Sequence, residues 1–338
     1  MRKANHHILV IRFSSLGDVA ISVPVLTALQ NAHPNCKITV LTKPAFASLF
    51  SHLEGVSVKS IDLKREFRGL FGLWKLARYI SALDVNGVAD LHNVLRTKIL
   101  KALLPTMRWV VVDKGRQAKQ QLISGQVFKP LKPTVERYAD VFRALGYELS
   151  LENPNFLPPL ERTNALENIL KNQAKPFIGI APFAAHKSKT YPFQKMKSII
   201  DHISKDHSVF LFGGRGQEQQ LLERLAQSKA NVISVAGRFS MAEELTLMSA
   251  LKVMVAMDSG NAHMAAMMGT SVITIWGVTH PYAGFKPYNQ PLENCLLPDR
   301  EQFPKIPTSV YGNRYPKGYE NAIASIDEMD VIKAIKSI

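Results

Sequence analysis

Three clusters in this chain set residue types where they could act on a ligand. In Asp258-Ser259-Gly260 an aspartate ends an apolar run, and a serine and a glycine turn the chain into a stretch with small residues at Ala262, Ala265 and Ala266. The free N–H groups at such a helix start attract anions and suit a diphosphate. Lys189, just ahead of Tyr191-Pro192 in "HKSKTYP", stands where an ammonium could reach bound phosphates, with Lys187 as its rival. Asp18 closes "SSLGD" directly after the apolar "HILVIRF". Each has a plainer duty open to it: Asp258 and Asp18 as helix caps worth about 1 kcal/mol, His263 as a first-turn core residue, the lysines as solvated surface.

Positioning such groups falls to short β-branched runs that recur along the chain: "HILVIRF", "KITVLT", "NGVADL", "RWVVVD", then "PFIGIAP", "SVFLFGG", "NVISVAG", "KVMVAMD" and "SVITIWG". Their near-continuous apolarity is what strands covered on both faces require, and the segments between them read as helices. This predicts an α/β protein of two Rossmann-like domains. Pro154, Pro158 and Pro159 mark an extended linker between them, which puts the domains at 1–158 and 159–325. Ligands of such sheets bind at the carboxyl ends of the strands, so a cleft between two facing sheets is the expected site. No G-x-G-x-x-G follows the first strand and no P-loop motif occurs, which removes the main support for dehydrogenase and P-loop chemistry.

Composition excludes other classes. The 338 residues are 46% apolar and 20% charged, enough for sizeable cores. Cys36 and Cys295 are the only cysteines, far apart and without histidines in ligand spacing, so neither a disulfide framework nor a zinc site is expected and a reducing cytoplasm fits. No run reaches the roughly 18 apolar residues of a membrane span. The net charge of +15 is uneven: residues 1–160 hold 22 Lys and Arg against 11 Asp and Glu. Two basic clusters, Lys59 to Arg78 and Arg96 to Lys119, call for an anionic partner. Phe67, Phe71 and Trp74 interleave with the first, but their spacing of three to four is that of a helix core face, so nucleic acid is not the expected partner.

Taken together, Ser14-Ser15-x-Gly17-Asp18 with Pro24, Lys189-x-Tyr191-Pro192, Asp258-Ser259-Gly260-x-x-His263 and Gly277-x-Thr279-x-Pro281 resemble glycosyltransferase family nine, the ADP-heptose:lipopolysaccharide heptosyltransferases and their relatives. The resemblance runs from about residue 8 to 290 in the family's order and spacing. It implies the GT-B architecture, with an acceptor domain, a nucleotide-sugar domain and a final helix, 326–338, packing back across the boundary.

An inverting glycosyl transfer needs a base for the attacking hydroxyl, and Asp18 is the candidate. The leaving diphosphate needs positive charge. No two aspartates stand two apart, so Lys189 and the helix start at Ser259 are expected to supply it without a metal or other cofactor. By family position Asp258, Ser259, Gly260 and His263 contact the donor, Ala184, Ala185 and Phe239 line its site, and Glu218 binds a ribose. The two alanines stand where relatives often carry hydroxyls. Ser14, Ser15 and Gly17, with Lys64, Arg65, Arg68, Arg96, Lys114, Arg116 and Lys119, are expected to grip an anionic Kdo- and lipid A-like glycolipid at the inner membrane surface. The donor is expected to be ADP-heptose-like and the protein a cytoplasmic monomer at or near that membrane. A related transferase or an epimerase using another nucleotide sugar is the alternative. The proline-rich stretch 285–320 reads as a lid or as a long loop.

Overall fold

The computed structural model describes residues 6–154, 156–227 and 229–338. The chain divides into two compact units, one of residues 1–114 and 134–157, the other of 115–133 and 158–338.

The first unit is built on a five-stranded sheet in the order β3-β2-β1-β4-β5, every pair parallel: β1 (His7–Ile11), β2 (Lys37–Thr42), β3 (Val56–Ser60), β4 (Gly87–Asp90) and β5 (Trp109–Val111). Parallel strands need crossovers, and helices α1 (Leu16–Ala32), α2 (Gly69–Ser81) and α3 (Leu95–Leu103) provide them. α1 buries Val19 through Leu26 without interruption, as a helix enclosed on most sides does. On α2 the inner face is Gly72, Leu73, Leu76, Ala77 and Ile80. Phe67 packs in the core, whereas Phe71 and Trp74 do not: they are exposed, against the expectation drawn from their spacing.

Beyond Lys114 the chain leaves this unit for α4 (Arg116–Ile123) and rejoins it with α5 (Thr134–Ala144), which packs on α1. The expectation that residues 1–158 form one body is therefore corrected. Residues 115–133 are held in the second unit by Leu131 N–H donating to Tyr282 O at 2.9 Å, by Phe128 packing against His280 and Tyr282, and by Arg300 at 3.5 Å over the Phe128 ring.

The second unit carries a six-stranded parallel sheet in the order β11-β10-β9-β6-β7-β8. Its elements after α6 (Asn164–Lys171) are β6 (Phe177–Ala181), α7 (Phe193–Ile203), β7 (Ser208–Leu211), α8 (Gln217–Ala226), β8 (Val232–Ser234), α9 (Met241–Ser249), β9 (Val253–Met257), α10 (Gly260–Met267), β10 (Ser271–Ile275), β11 (Cys295–Leu296) and α11 (Glu328–Ser337). α11 buries Val331, Ile332 and Ile335 in the core of this same unit, against α7. The helix expected to cross the boundary thus packs on the unit that precedes it in sequence. Among the described residues no helix is long and apolar enough to cross a membrane.

Candidate active site

In the first unit, register sets the site. Ile11 pairs with both Leu41 and Asp90, so β1, β2 and β4 end level and the residues that follow them meet. Arg12, the first residue past β1, is buried, and its guanidinium donates to Leu91 O at 2.5 Å and pairs with Asp18 Oδ2 at 2.5 Å. The same carboxylate oxygen accepts from Ser15 N at 3.2 Å and Ser15 Oγ at 2.9 Å. Asp18 therefore closes the start of α1 and is also the counter-ion of a buried arginine. Among the described residues all these contacts fall on Oδ2 and none on Oδ1.

Asp90 Oδ1 accepts from His92 N and Asn93 N, each at 2.9 Å, and this turn brings His92 Nε2 to 3.1 Å from Ser14 Oγ. Burial, then the charges of Arg12 and Lys114, with Arg96 adding in the same direction and Asp18 opposing, push His92 down to about 3. The imidazole is neutral in the folded chain at neutral pH. Ser14, Ser15, Asp18, Arg96 and Lys114 thus gather at one strand end. Lys64, Arg65 and Arg68 stand apart, exposed on the turn before α2, where Lys64 N and Arg65 N donate to Asp62 Oδ1 at 2.9 and 3.0 Å. Arg116 and Lys119 sit on α4, which belongs to the second unit, and Lys119 is buried with its ammonium 4.2 Å from the centre of the Phe285 ring.

In the second unit β6, β9 and β10 also end level, through the pairs Ala181–Ala256 and Ile275–Met257. The loops that leave them bring Lys189, Asp258 and Thr279 together. Lys189 Nζ lies 2.9 Å from Asp258 Oδ2, which also accepts from Thr279 Oγ1 at 2.8 Å. Asp258, assigned to the donor by position, is engaged in holding Lys189. Ser259 caps α10 with its hydroxyl buried and without a partner among the described residues, and His263 is buried in the first turn. Lys187, the rival, is exposed. Two glycines fix the turn at Lys187–Lys189: a Cβ on Gly277 would lie 1.9 Å from Ser188 O, and one on Gly312 would lie 2.7 Å from Lys189 Cδ.

The stretch 285–320 is neither free loop nor open lid. Ile306 is buried with Val278 and Ala322, Thr308 N donates to Val278 O at 2.9 Å, and Ser188 Oγ donates to Gly312 O at 2.5 Å, so this segment clamps the lysine turn. The other donor candidates follow neighbouring strands of the same edge. Ala184 and Ala185 follow β6, Phe239 follows β8, and Glu218, on α8 after β7, accepts from Gly214 N at 2.7 Å.

Sequence reasoning passed over Arg12, His92 and Glu244. Arg12 carried a signal, a lone charge at the end of an apolar strand. Glu244, on α9, is raised by burial to about 7, with Arg215 pulling the other way. These shifts have a testable sign. His92, and His280, lowered to about 4 by burial and by Arg300, stay neutral in the fold where an unfolded histidine, at 6.5, takes up a proton. Their contribution to stability is lost as pH falls below 6.5; His7, also lowered by burial, adds in the same sense. Glu244 opposes them, since it keeps a proton that the unfolded chain releases above 4.5. Denaturant unfolding between about pH 5 and 6 is expected to show stability rising with pH by roughly 1.4 kcal/mol per unit, the effect of one net proton. Glu244→Gln should steepen that slope by about the same amount again; an unchanged slope would contradict the assignment.

A sequence profile described as glycosyltransferase family 9 (heptosyltransferase) matches residues 73–313. The lipooligosaccharide heptosyltransferase 2 of Haemophilus influenzae is 24% identical over 297 residues, 81% of this chain and 84% of its own. The solved structure of a family 9 glycosyl transferase from Veillonella parvula has a TM-score of 0.76 at 19% identity, covering 100% of this chain and 98% of its own. Escherichia coli heptosyltransferase WaaC with ADP gives 0.70 at 20%, covering 98% and 99%. The two parallel sheets are those of the GT-B fold. Because the profile spans the whole second sheet and takes in Lys189, Asp258, Thr279 and Gly312, this chain is a glycosyltransferase and belongs to family 9, the heptosyltransferases.

Proposed function

We propose that the chain transfers a heptose, with inversion, from an ADP-heptose-like donor to a lipopolysaccharide inner-core acceptor. The observation that carries this reading is the set Lys189, Asp258 and Thr279 beside the start of α10, an ammonium held in place by a buried carboxylate next to a helix N-terminus with no side-chain cap. As the acceptor oxygen bonds to the anomeric carbon, its proton passes to Asp18. The bond from that carbon to the diphosphate breaks, and the electron pair leaves on the phosphate oxygen. Lys189 and the helix start neutralise the developing charge with groups already in place, which costs no reorganisation. The neutral His92 and Ser14 border Asp18, and Arg96 and Lys114 supply positive charge on the acceptor side. Lys64, Arg65 and Arg68 extend that charge.

Thermal shift against ADP-, UDP- and GDP-sugars tests the donor: a true donor at 100 times its Kd adds about 2.7 kcal/mol. Stabilisation by a UDP- or GDP-sugar alone would overturn the ADP assignment. Because a lysine does the work of a cation, EDTA is expected to leave turnover unchanged. Loss of turnover on chelation with recovery on adding magnesium would refute that.

A further inference from the structure

The outer face of α2 is apolar where it should be polar. Leu70 is 74% exposed, Phe71 76% and Trp74 46%, while the inner face of the same helix supplies the core. Phe71 and Trp74 stack with ring centres 5.8 Å apart, so they form one patch rather than scattered side chains. Arg68 and Lys75 adjoin it along the chain and Arg78 stands with its guanidinium 5.1 Å from the Trp74 ring centre, while Lys59, Lys64 and Arg65 lie on the segment that leads into the helix; all six are exposed. The acids between 59 and 78 are Asp62 and Glu66, and both are engaged: Asp62 by Lys64 N and Arg65 N, Glu66 by Lys75 at 3.2 Å.

A partner for this surface must offer negative charge around the rim and an apolar medium at the centre. A second copy of the chain would bring like charge against like. A nucleic acid offers charge and stacking but no apolar depth for Leu70. An anionic bilayer offers both, phosphates at headgroup level and acyl chains just beneath, and tryptophan favours that boundary. We infer that the turn at 64–68 and the first half of α2 dock the protein onto an anionic lipid surface, with Leu70, Phe71 and Trp74 entering the headgroup layer. The inference is independent of the transfer reaction, since it concerns bare lipid.

Flotation of the full chain with vesicles of phosphatidylcholine, with and without phosphatidylglycerol, tests it. Partitioning is expected to be at least tenfold stronger on the anionic vesicles, to weaken in high salt, and to shift tryptophan emission to the blue. Phe71→Ser/Trp74→Ser should lower partitioning tenfold or more while the protein stays folded with a Tm only a few degrees lower, because Phe71 faces water and Trp74 is half-exposed. Arg78→Glu should lower it severalfold. Equal partitioning on neutral and anionic vesicles, or a serine variant that binds as the parent does, overturns the inference. So does a lipid-free dimer that the serine variant abolishes. These vesicles carry no sugar acceptor, so failure here leaves the proposed reaction standing, and failure of the reaction leaves this surface standing.

Discussion

Asp18→Asn is expected to lower turnover by roughly 100-fold or more, since general-base assistance is typically worth 10² to 10⁴. Nucleotide affinity should stay nearly intact, because the groups proposed to bind it lie in the other sheet's loops. The amide oxygen can still accept from Ser15 N, so the closure of α1 survives. The pairing with Arg12 does not. That guanidinium is buried, and it keeps neutral partners, Leu91 O, the face of the Tyr138 ring and the amide oxygen, but no counter-ion at this oxygen. Breaking a buried pair from one side costs about 3 to 5 kcal/mol, so the variant should also melt earlier. Turnover measured well below the new Tm separates the two effects. Full activity there would reduce Asp18 to a cap and a counter-ion.

Lys189→Met is expected to lower affinity for ADP by about 10- to 100-fold, the range of a charge-assisted hydrogen bond, and to destabilise the protein as well. Methionine keeps the stem packed against Gly312 and removes only the charge. Asp258, at 10% side-chain exposure, would then keep Thr279 and lose its ion partner. The double variant Lys189→Met/Asp258→Asn should recover much of the lost stability, because no uncompensated carboxylate remains, while ADP binding stays weak. Isothermal titration and thermal melts read these separately. A folded Lys189→Met that binds ADP as the parent does would remove the lysine from the diphosphate site.

Much of the fold was legible because strands covered on both faces must be apolar almost throughout, and such runs stand out. β3 and β11 did not. β3 is an edge strand with alternating, half-exposed residues in "VSVKS", and β11 has two residues. The motifs located the lysine, the aspartate and the helix start, but not what each does. That Asp258 holds Lys189, and that Gly277 must be glycine because Ser188 O passes beside it, depends on loops from three strands ending at one level. Spacing correctly put Phe71 and Trp74 on a helix and misjudged which side faces inward. Gly72, Leu73, Leu76, Ala77 and Ile80 form the competing stripe, and α2, covered on one side, buries only that one.

Residues 115–133 bear on how this protein can be dissected. The backbone passes between the two bodies three times, after Lys114, Pro133 and Leu157, so each body is assembled from separated stretches. A fragment cut at the prolines near 158 would carry Phe128 and Leu131 without the partners that hold them. Its counterpart would expose His280, Tyr282 and Phe285. Neither piece should be soluble alone. During synthesis, residues 115–133 must wait for partners still to be made, which leaves Phe128 and Leu131, apolar side chains in a largely polar stretch, open to chaperones in the interval.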